Sequence, residues 1–307
     1  MPSVNQKQII KEAIDSFPVF ATHLWHFLRL PSPTPVQYQL ADYLQNGPNR
    51  RIIMAYRGCG KSFLTAGYVL WRLRKDPDTK VLVISAAQDR ADAFSVFCHD
   101  LLRNWFMVQD LFPSDTQRFS KVAFDVFGSK PDQSPSVRSS GIFGQITGSR
   151  ADLIVADDVE TPQSCETQLI RDKLRESIKE FDSVIKPGGQ IVFLGTPHTQ
   201  DSIYAKLEIA GYHPRIWPAL YPTAAKRKNY YGNRLAPKIT SQLDDDKSLA
   251  GHPTDPDRFD WEELEARKES IGRSTFNLQF LLDISLSDEE KYPLKLQDLC
   301  IFRLHRE

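Results

Sequence analysis

Lys61 and Ser62, behind the glycines of Tyr56-Arg57-Gly58-Cys59-Gly60-Lys61-Ser62, are the first residues whose types and spacing suggest a chemistry. A lysine and a hydroxyl after a glycine-bearing turn suit a polyphosphate. The ammonium reaches the β- and γ-phosphates and the hydroxyl ligates Mg²⁺. The pattern G-x-x-x-x-G-K-[ST] describes such a loop, and here Ala55 stands where its first glycine would be. The alternative is a surface turn that happens to contain G-K-S. A second constellation weighs against it: Leu153-Ile154-Val155-Ala156 runs straight into Asp157-Asp158, with Glu160 two places on. A carboxylate at the carboxyl end of a strand lies where open α/β sheets bind ligands. There Asp157 can hold Mg²⁺, largely through water, and the next acid can orient or deprotonate an attacking water. Asp158 has the position for that role. Glu160 has the longer side chain, and the choice between them stays open at this point.

These residues need strands and helices to hold them. Ile52 to Ala55 is an apolar run before the loop, and Phe63 to Lys75 is amphipathic after it, so the order is strand, loop, helix. That order aims backbone N–H groups and a helix N-terminus at an anion. Lys80 to Ala86 and Gln190 to Gly195 read as strands buried on both faces, as in parallel sheets. Gln88 to Phe106 and Thr161 to Phe181 read as helices, Lys121 to Phe127, Ser139 to Phe143 and Tyr212 to Leu220 as further strands, and Lys186 to Gly189 as a turn. Alternation of this kind predicts an α/β fold, a mostly parallel sheet flanked by helices. Thr196, at the tip of the Gln190 strand, can sense a γ-phosphate or simply cap a turn. Gln37, in the helix that follows Pro31, Pro33 and Pro35, can present donor and acceptor to an adenine edge. A solvent-facing helical glutamine is the equal alternative.

At the N-terminus, Gln6 to Phe17 is expected to be a helix, and Phe20, Trp25, His26 and Phe27 an aromatic cluster packed on a neighbouring subdomain. Gly128 to Ser136 reads as a flexible polar connector, and Lys226-Arg227-Lys228 with Tyr230 and Tyr231 as a solvated loop or a DNA-backbone contact. Asp244 to Asp257 is expected to be mobile, Trp261 to Ile271 a helix whose charges match its macrodipole, and Phe276 to Leu282 an apolar packing segment.

The 307 residues suggest roughly two domains or one large α/β domain with an appendage. Basic and acidic residues balance at 39 each, so no global positive field points to nucleic acid, and a DNA contact needs a local patch or an assembled ring. Cys59, Cys98, Cys165 and Cys300 lack metal-binding spacing and read as reduced cytosolic thiols. The N-terminus lacks a signal peptide's apolar core and no run approaches membrane-spanning length, which is the pattern of a soluble intracellular protein.

With these residues in view, the chain resembles the ATPase half of a large terminase subunit, the DNA-packaging motor of tailed bacteriophages, and most of all the DNA maturase B type of short-tailed phages. The likeness covers nearly the whole chain. It rests on Thr34-Pro-Val-Gln-Tyr-Gln39, Tyr56 to Ser62, Gly148 to Glu160, Leu194-Gly-Thr-Pro-His198, Arg258 to Glu265 and Phe276 to Phe280. An arginine two places into the phosphate loop, here Arg57, is characteristic of that family. The resemblance implies an additional-strand, RecA-like P-loop NTPase core with a small lid, using ATP and Mg²⁺ and working as a homo-oligomeric, pentameric ring on the portal of a procapsid in the cytoplasm of the infected host. It implies double-stranded DNA, the portal protein and the small terminase subunit as partners. It assigns adenine reading to Gln37, phosphate contacts to Arg57, Gly58, Cys59, Gly60 and Lys61, γ-phosphate sensing to Arg57, and coupling of hydrolysis to motion to Thr196. Arg150 becomes the candidate arginine finger for a neighbouring subunit, with Arg138 as the fallback. Many such motors carry Glu where this chain has Asp158.

The expected division is 1–30, a helical segment packing on the lid; 31–220, the ATPase core; 221–290, the lid and C-terminal helix; and 291–307, the start of a linker. Beyond Leu282 the acids Asp283, Asp288, Glu289, Glu290 and Asp298 do not make the strand-borne cluster of a terminase nuclease, so ATPase activity without DNA cleavage is expected. Two rivals stand: a superfamily-2 helicase-like translocase and a nucleotide-binding assembly scaffold without turnover. A P-loop kinase fits less well.

Overall fold

The apolar runs assemble into one sheet in the computed structural model, which describes residues 4–199 and 201–285. Its strands are β1 (Arg50–Ala55), β2 (Val81–Ser85), β3 (Ala123–Phe124), β4 (Val137–Gly141), β5 (Ala151–Asp157), β6 (Ile185–Gly195) and β7 (His213–Trp217). They lie in the order β3-β4-β2-β5-β6-β1-β7, and every pairing is parallel except that of β3 with β4. The strand ending in Thr196 therefore lies between the strand that feeds the glycine loop and the strand that ends in the twin acids. That inserted strand is the additional strand expected of this class. The Cα register pairs Met54 with Gly195, Leu194 with Asp157, and Asp157 with Ser85, so four strand ends form one edge.

Helices flank the sheet: α1 (Val4–Ala13), α2 (Phe17–Phe27), α3 (Pro35–Asn46), α4 (Lys61–Lys75), α5 (Gln88–Asn104), α6 (Gln168–Lys179), α7 (Phe181–Val184) and α8 (Ile203–Ile209). The remaining helices, α9 (Ala224–Lys226), α10 (Pro237–Asp245), α11 (Trp261–Ile271) and α12 (Arg273–Phe276), belong to the C-terminal part. The core is continuous from α2 through the sheet, with Trp105, Trp217, Phe181 and Phe193 wholly enclosed. No helix among the described residues is long and apolar enough to cross a membrane.

Several expectations need correction. The single N-terminal helix is two, because Ser16 caps a new start at Val19 N–H and Pro18 lies at its second position. The N-terminal segment packs on the core rather than on the C-terminal part: Phe17 meets Tyr68 and Trp71, and Phe20 meets Trp105. The expected helix over 161–181 is broken into a turn of 3₁₀ helix, α6 and α7. The turn at 186–189 lies inside β6, at a shift of register between Ala151 and Leu153. The 128–136 connector is ordered by Arg118, which donates to the carbonyls of Asp132, Gln133 and Ser134 and pairs with Asp125. The 244–257 stretch, expected to be mobile, is anchored by the buried Asp255. The helix over 261–271 forms as expected, with Asp260 as its cap. The 291–307 linker, and the acids at 288–290 and 298, lie outside the described residues.

Candidate active site

The loop leaves β1 at Ala55 and turns through Gly58 (φ +88°) and Gly60 (φ +92°), a left-handed backbone that glycine adopts at no steric cost. Gly60 caps α4, so the helix N-terminus opens onto the loop. Lys61 is buried, and its ammonium donates to the carbonyls of Ala55 (2.7 Å) and Tyr56 (3.3 Å). Ser62 faces the opposite side, in a cavity of about 310 Å³ that also exposes Asp157 and Asp158. Gln37 is buried, not solvent-facing. Its side-chain carbonyl accepts from Thr34 N–H (3.0 Å), closing a capping box on α3, and its amide donates to the Cys59 carbonyl (2.9 Å). Beside it, Trp25, Phe63, Arg258 and Gly60 line a cavity of about 270 Å³. Cys59, Cys98 and Cys165 are free and buried, and Cys300 lies outside the described residues.

The acids behave differently. Asp157 and Asp158 each keep a buried carboxylate oxygen with no hydrogen-bond partner. Burial first, and then repulsion from Asp158, push the Asp157 carboxyl above the usual range, while Lys61 and Arg90 pull it down. Asp158 has a left-handed backbone, φ +46°, and borders both the Ser62 cavity and a second one of about 270 Å³. That second cavity is also lined by Lys61, Arg57, Thr196 and His198, so it joins the two halves of the site. Glu160 borders it too, but its carboxylate is occupied. It accepts from the backbone N–H of His198 (2.7 Å) and Ile203 (2.7 Å) and from the Ser202 hydroxyl (2.8 Å), which pins the turn after Thr196. Burial still holds the Glu160 carboxyl above its ordinary value, against those three donors. Gly195 admits no side chain, since a Cβ there would lie 1.8 Å from the Tyr204 hydroxyl.

Four residues that sequence reasoning did not single out complete the arrangement. Gln279 binds Arg57 twice: its backbone carbonyl accepts the Arg57 N–H (2.9 Å) and its side chain accepts from the guanidinium (3.0 Å). Arg258 donates to the Gly58 carbonyl (2.9 Å). Asp255 accepts from the hydroxyls of Tyr56 (2.5 Å) and Thr34 (2.8 Å). The C-terminal part thus grips the loop at Tyr56, Arg57 and Gly58. The fourth is Arg90, in the first turn of α5, where a cation opposes the helix dipole. That misplaced charge was the readable signal.

The arginines expected to act as fingers lie away from this edge. Arg150 precedes β5 and is roughly 20 Å from Asp157 at about 3.3 Å per residue, and it donates to the carbonyls of Ser149 and Ser183. Arg138, one residue into β4, binds the Ser149 hydroxyl and the Gln145 carbonyl. The basic-aromatic cluster is structural: Lys226 pairs with Asp283, Arg227 with Asp244, and the hydroxyls of Tyr230 and Tyr231 donate to the carbonyls of Leu282 and Leu281.

No group of three or more His, Cys, Asp or Glu side chains among the described residues forms a metal cage. The orphaned oxygens of Asp157 and Asp158 beside the Ser62 hydroxyl fit a different use: Mg²⁺ takes one or two carboxylates and completes its shell with water and substrate phosphates.

No family model matches the chain. A sequence relative does: the chain is 45% identical over 304 residues, 97% of its length, to the "Terminase, large subunit" of Enterobacteria phage T3, and spans 52% of that relative. Among solved structures it overlays on the large terminase ATPase domain of Thermus phage P74-26, with TM-score 0.47, 13% identity, and coverage of 85% of this chain and 96% of that one. For the large terminase of bacteriophage HK97 the TM-score is 0.43, with 15% identity and coverage of 81% and 50%. With nearly half its residues shared along almost its whole length, the chain is similar to about half of a phage large terminase subunit.

Proposed function

We propose that this chain hydrolyses ATP and is the motor portion of a viral terminase, driving double-stranded DNA into a procapsid. The observation that carries the reading is the register of one sheet edge. It sets the Gly60-Lys61-Ser62 turn, the Thr196 tip and the Asp157-Asp158 pair on adjoining strand ends, with Lys61, Thr196 and Asp158 around one cavity and Ser62, Asp157 and Asp158 around the next. The sequence relative supports the packaging role. The portal protein, the small terminase subunit, a pentameric ring and a site of action in the host cytoplasm follow from the same reading. Residues 31–220 would be the ATPase core and 221–285, among those described, the lid.

In this mechanism the backbone of Gly58, Cys59 and Gly60 cradles the phosphates. Lys61 exchanges its carbonyl partners for β- and γ-oxygens, and Arg57 contacts the terminal phosphoryl group. Ser62 and Asp157 would hold Mg²⁺, which supplies charge neutralisation on the phosphate oxygens. The base lies in the cavity beside Trp25, and Gln37 holds the loop beneath it. Asp158, with a free carboxylate oxygen, orients the attacking water and takes its proton. A bond forms between the water oxygen and the γ-phosphorus as the bond from phosphorus to the β–γ bridging oxygen breaks, releasing ADP and phosphate. Glu160 acts through the turn it pins, and Thr196 feels the γ-phosphate and passes its loss to that turn. Arg150 is too far to serve its own site and acts only on a neighbour's, with Arg138 behind it.

The test is steady-state phosphate release from ATP with Mg²⁺, measured against protein concentration and with linear duplex DNA. Sustained release that DNA stimulates is expected. A rate per subunit that climbs with concentration places an arginine in trans. Stoichiometric nucleotide binding without turnover would overturn the reading in favour of a scaffold.

A further inference from the structure

Two cavities meet at the site edge, one holding Ser62 and Asp157 and the other Lys61, Arg57 and Thr196, and among the described residues only Asp158 and Arg90 line both. Arg90 is exposed, and its side chain makes no hydrogen bond or ion pair with the described residues. The other two long cations of the site are engaged: Lys61 on the carbonyls of Ala55 and Tyr56, Arg57 on Gln279. β2 and β5 place Ser85 beside Asp157, so the first turn of α5 begins at the acids and carries Arg90 to them. A guanidinium held there works against the helix dipole and gains no internal partner in return. Both facts are explained by an anion between Arg90 and Lys61.

We propose that Arg90 is a catalytic residue that contacts the terminal phosphoryl group of ATP within its own subunit. The assignment rests on the ATPase reading and extends it. In phosphoryl transfer the charge spreads over the equatorial oxygens, and an arginine set against them raises the rate because there is little other covalent work for the protein. Lys61 and Arg57 approach those oxygens from the loop. Arg90 approaches from the side of the acids, beside the water-orienting Asp158.

The experiment compares the whole chain with its Arg90→Ala, Arg90→Lys and Lys61→Ala variants, with ATP and Mg²⁺, first without DNA and then with linear duplex DNA. Arg90→Ala is expected to lower kcat about 10²- to 10³-fold, the range for one lost charge-stabilising donor. KM should stay within a few-fold and the melting temperature should not move. Arg90→Lys recovers only part of the rate, because an ammonium lacks the planar fork, and added guanidinium ion restores some turnover to Arg90→Ala. Mixing Arg90→Ala with Lys61→Ala subunits leaves both inactive, whereas recovery on mixing would show donation between subunits and overturn the proposal. An Arg90→Ala kcat within about threefold of wild type, or a loss confined to the DNA-stimulated rate, would also overturn it and make Arg90 a DNA contact. If wild type and Lys61→Ala release phosphate at the same background rate, the ATPase reading fails and takes the assignment with it. If only Arg90→Ala matches wild type, the assignment fails alone.

Discussion

The two halves of the site are finished to different degrees. On the loop side the long polar side chains have partners: Lys61 has two carbonyls, Gln37 has Thr34 and Cys59, and Arg57 has Gln279. On the acid side Asp157 and Asp158 each bury an oxygen with nothing to accept from, and Arg90 has no side-chain partner among the described residues. A buried acceptor left unmade costs roughly 1–3 kcal/mol, and more when charged. The loop half can therefore hold its shape without a ligand, while the acid half is stabilised by what binds. Glu160 marks the border. It carries a carboxyl like its neighbours, but three donors turn it into part of the scaffold.

This contrast can be broken experimentally. The largest effect is expected from Lys61→Ala, which should reduce phosphate release to the background rate, and sustained turnover would remove the loop half from the chemistry. Next, Asp158→Asn should lower kcat about 10²- to 10⁴-fold, the span of general-base catalysis, while Glu160→Gln retains most of the rate. Near-normal turnover in both would refute the assignment, and loss in Glu160→Gln alone would reverse it. A thermal-shift titration sharpens the acid half: Mg²⁺ with ADP at about 100 times Kd should add about 2.7 kcal/mol of stability to wild type. Asp157→Asn should forfeit most of that gain, and an equal gain in both would sever Asp157 from the metal.

Glu160→Gln should cost stability instead, about 1–3 kcal/mol by denaturant unfolding, because a neutral amide accepts less strongly from three buried donors. The smallest effect concerns Asp255, whose carboxyl burial raises above its ordinary value of 3.8. A raised carboxyl stabilises the fold most while protonated, and that contribution fades as pH rises through its folded value. The stability of wild type relative to Asp255→Asn should accordingly fall as pH rises above the ordinary carboxyl value of 3.8, and a rise there would contradict the burial argument.

Much of this could be read before any coordinates, and what could not has a common cause. Lys61, Ser62 and Asp157 announce themselves because strand, loop and acid lie within short stretches whose pattern carries the chemistry. The parallel sheet was equally legible from apolar runs of strand length. Gln37 was ambiguous because its partner Cys59 lies 22 positions along the chain. Asp255 was invisible, since its two donors are 199 and 221 positions away and it sits in a segment that composition alone described as loose. The basic-aromatic stretch around Lys226 misled for the same reason: Asp283 and the carbonyls of Leu281 and Leu282, which consume it, are supplied by distant residues. The missed break at Ser16-Phe17-Pro18 is different, because cap and proline were both present in the sequence.

Asp158 shows what a backbone angle can decide. At φ +46° the chain curls in a sense that Asp and Asn tolerate far better than longer or branched residues. The aspartate at this place is thus the acid that this curl admits. An Asp158→Glu substitution made to lengthen its reach would set side-chain gain against main-chain discomfort of roughly 1–2 kcal/mol, so the shorter residue and the bent strand end are one inheritance and would have to change together.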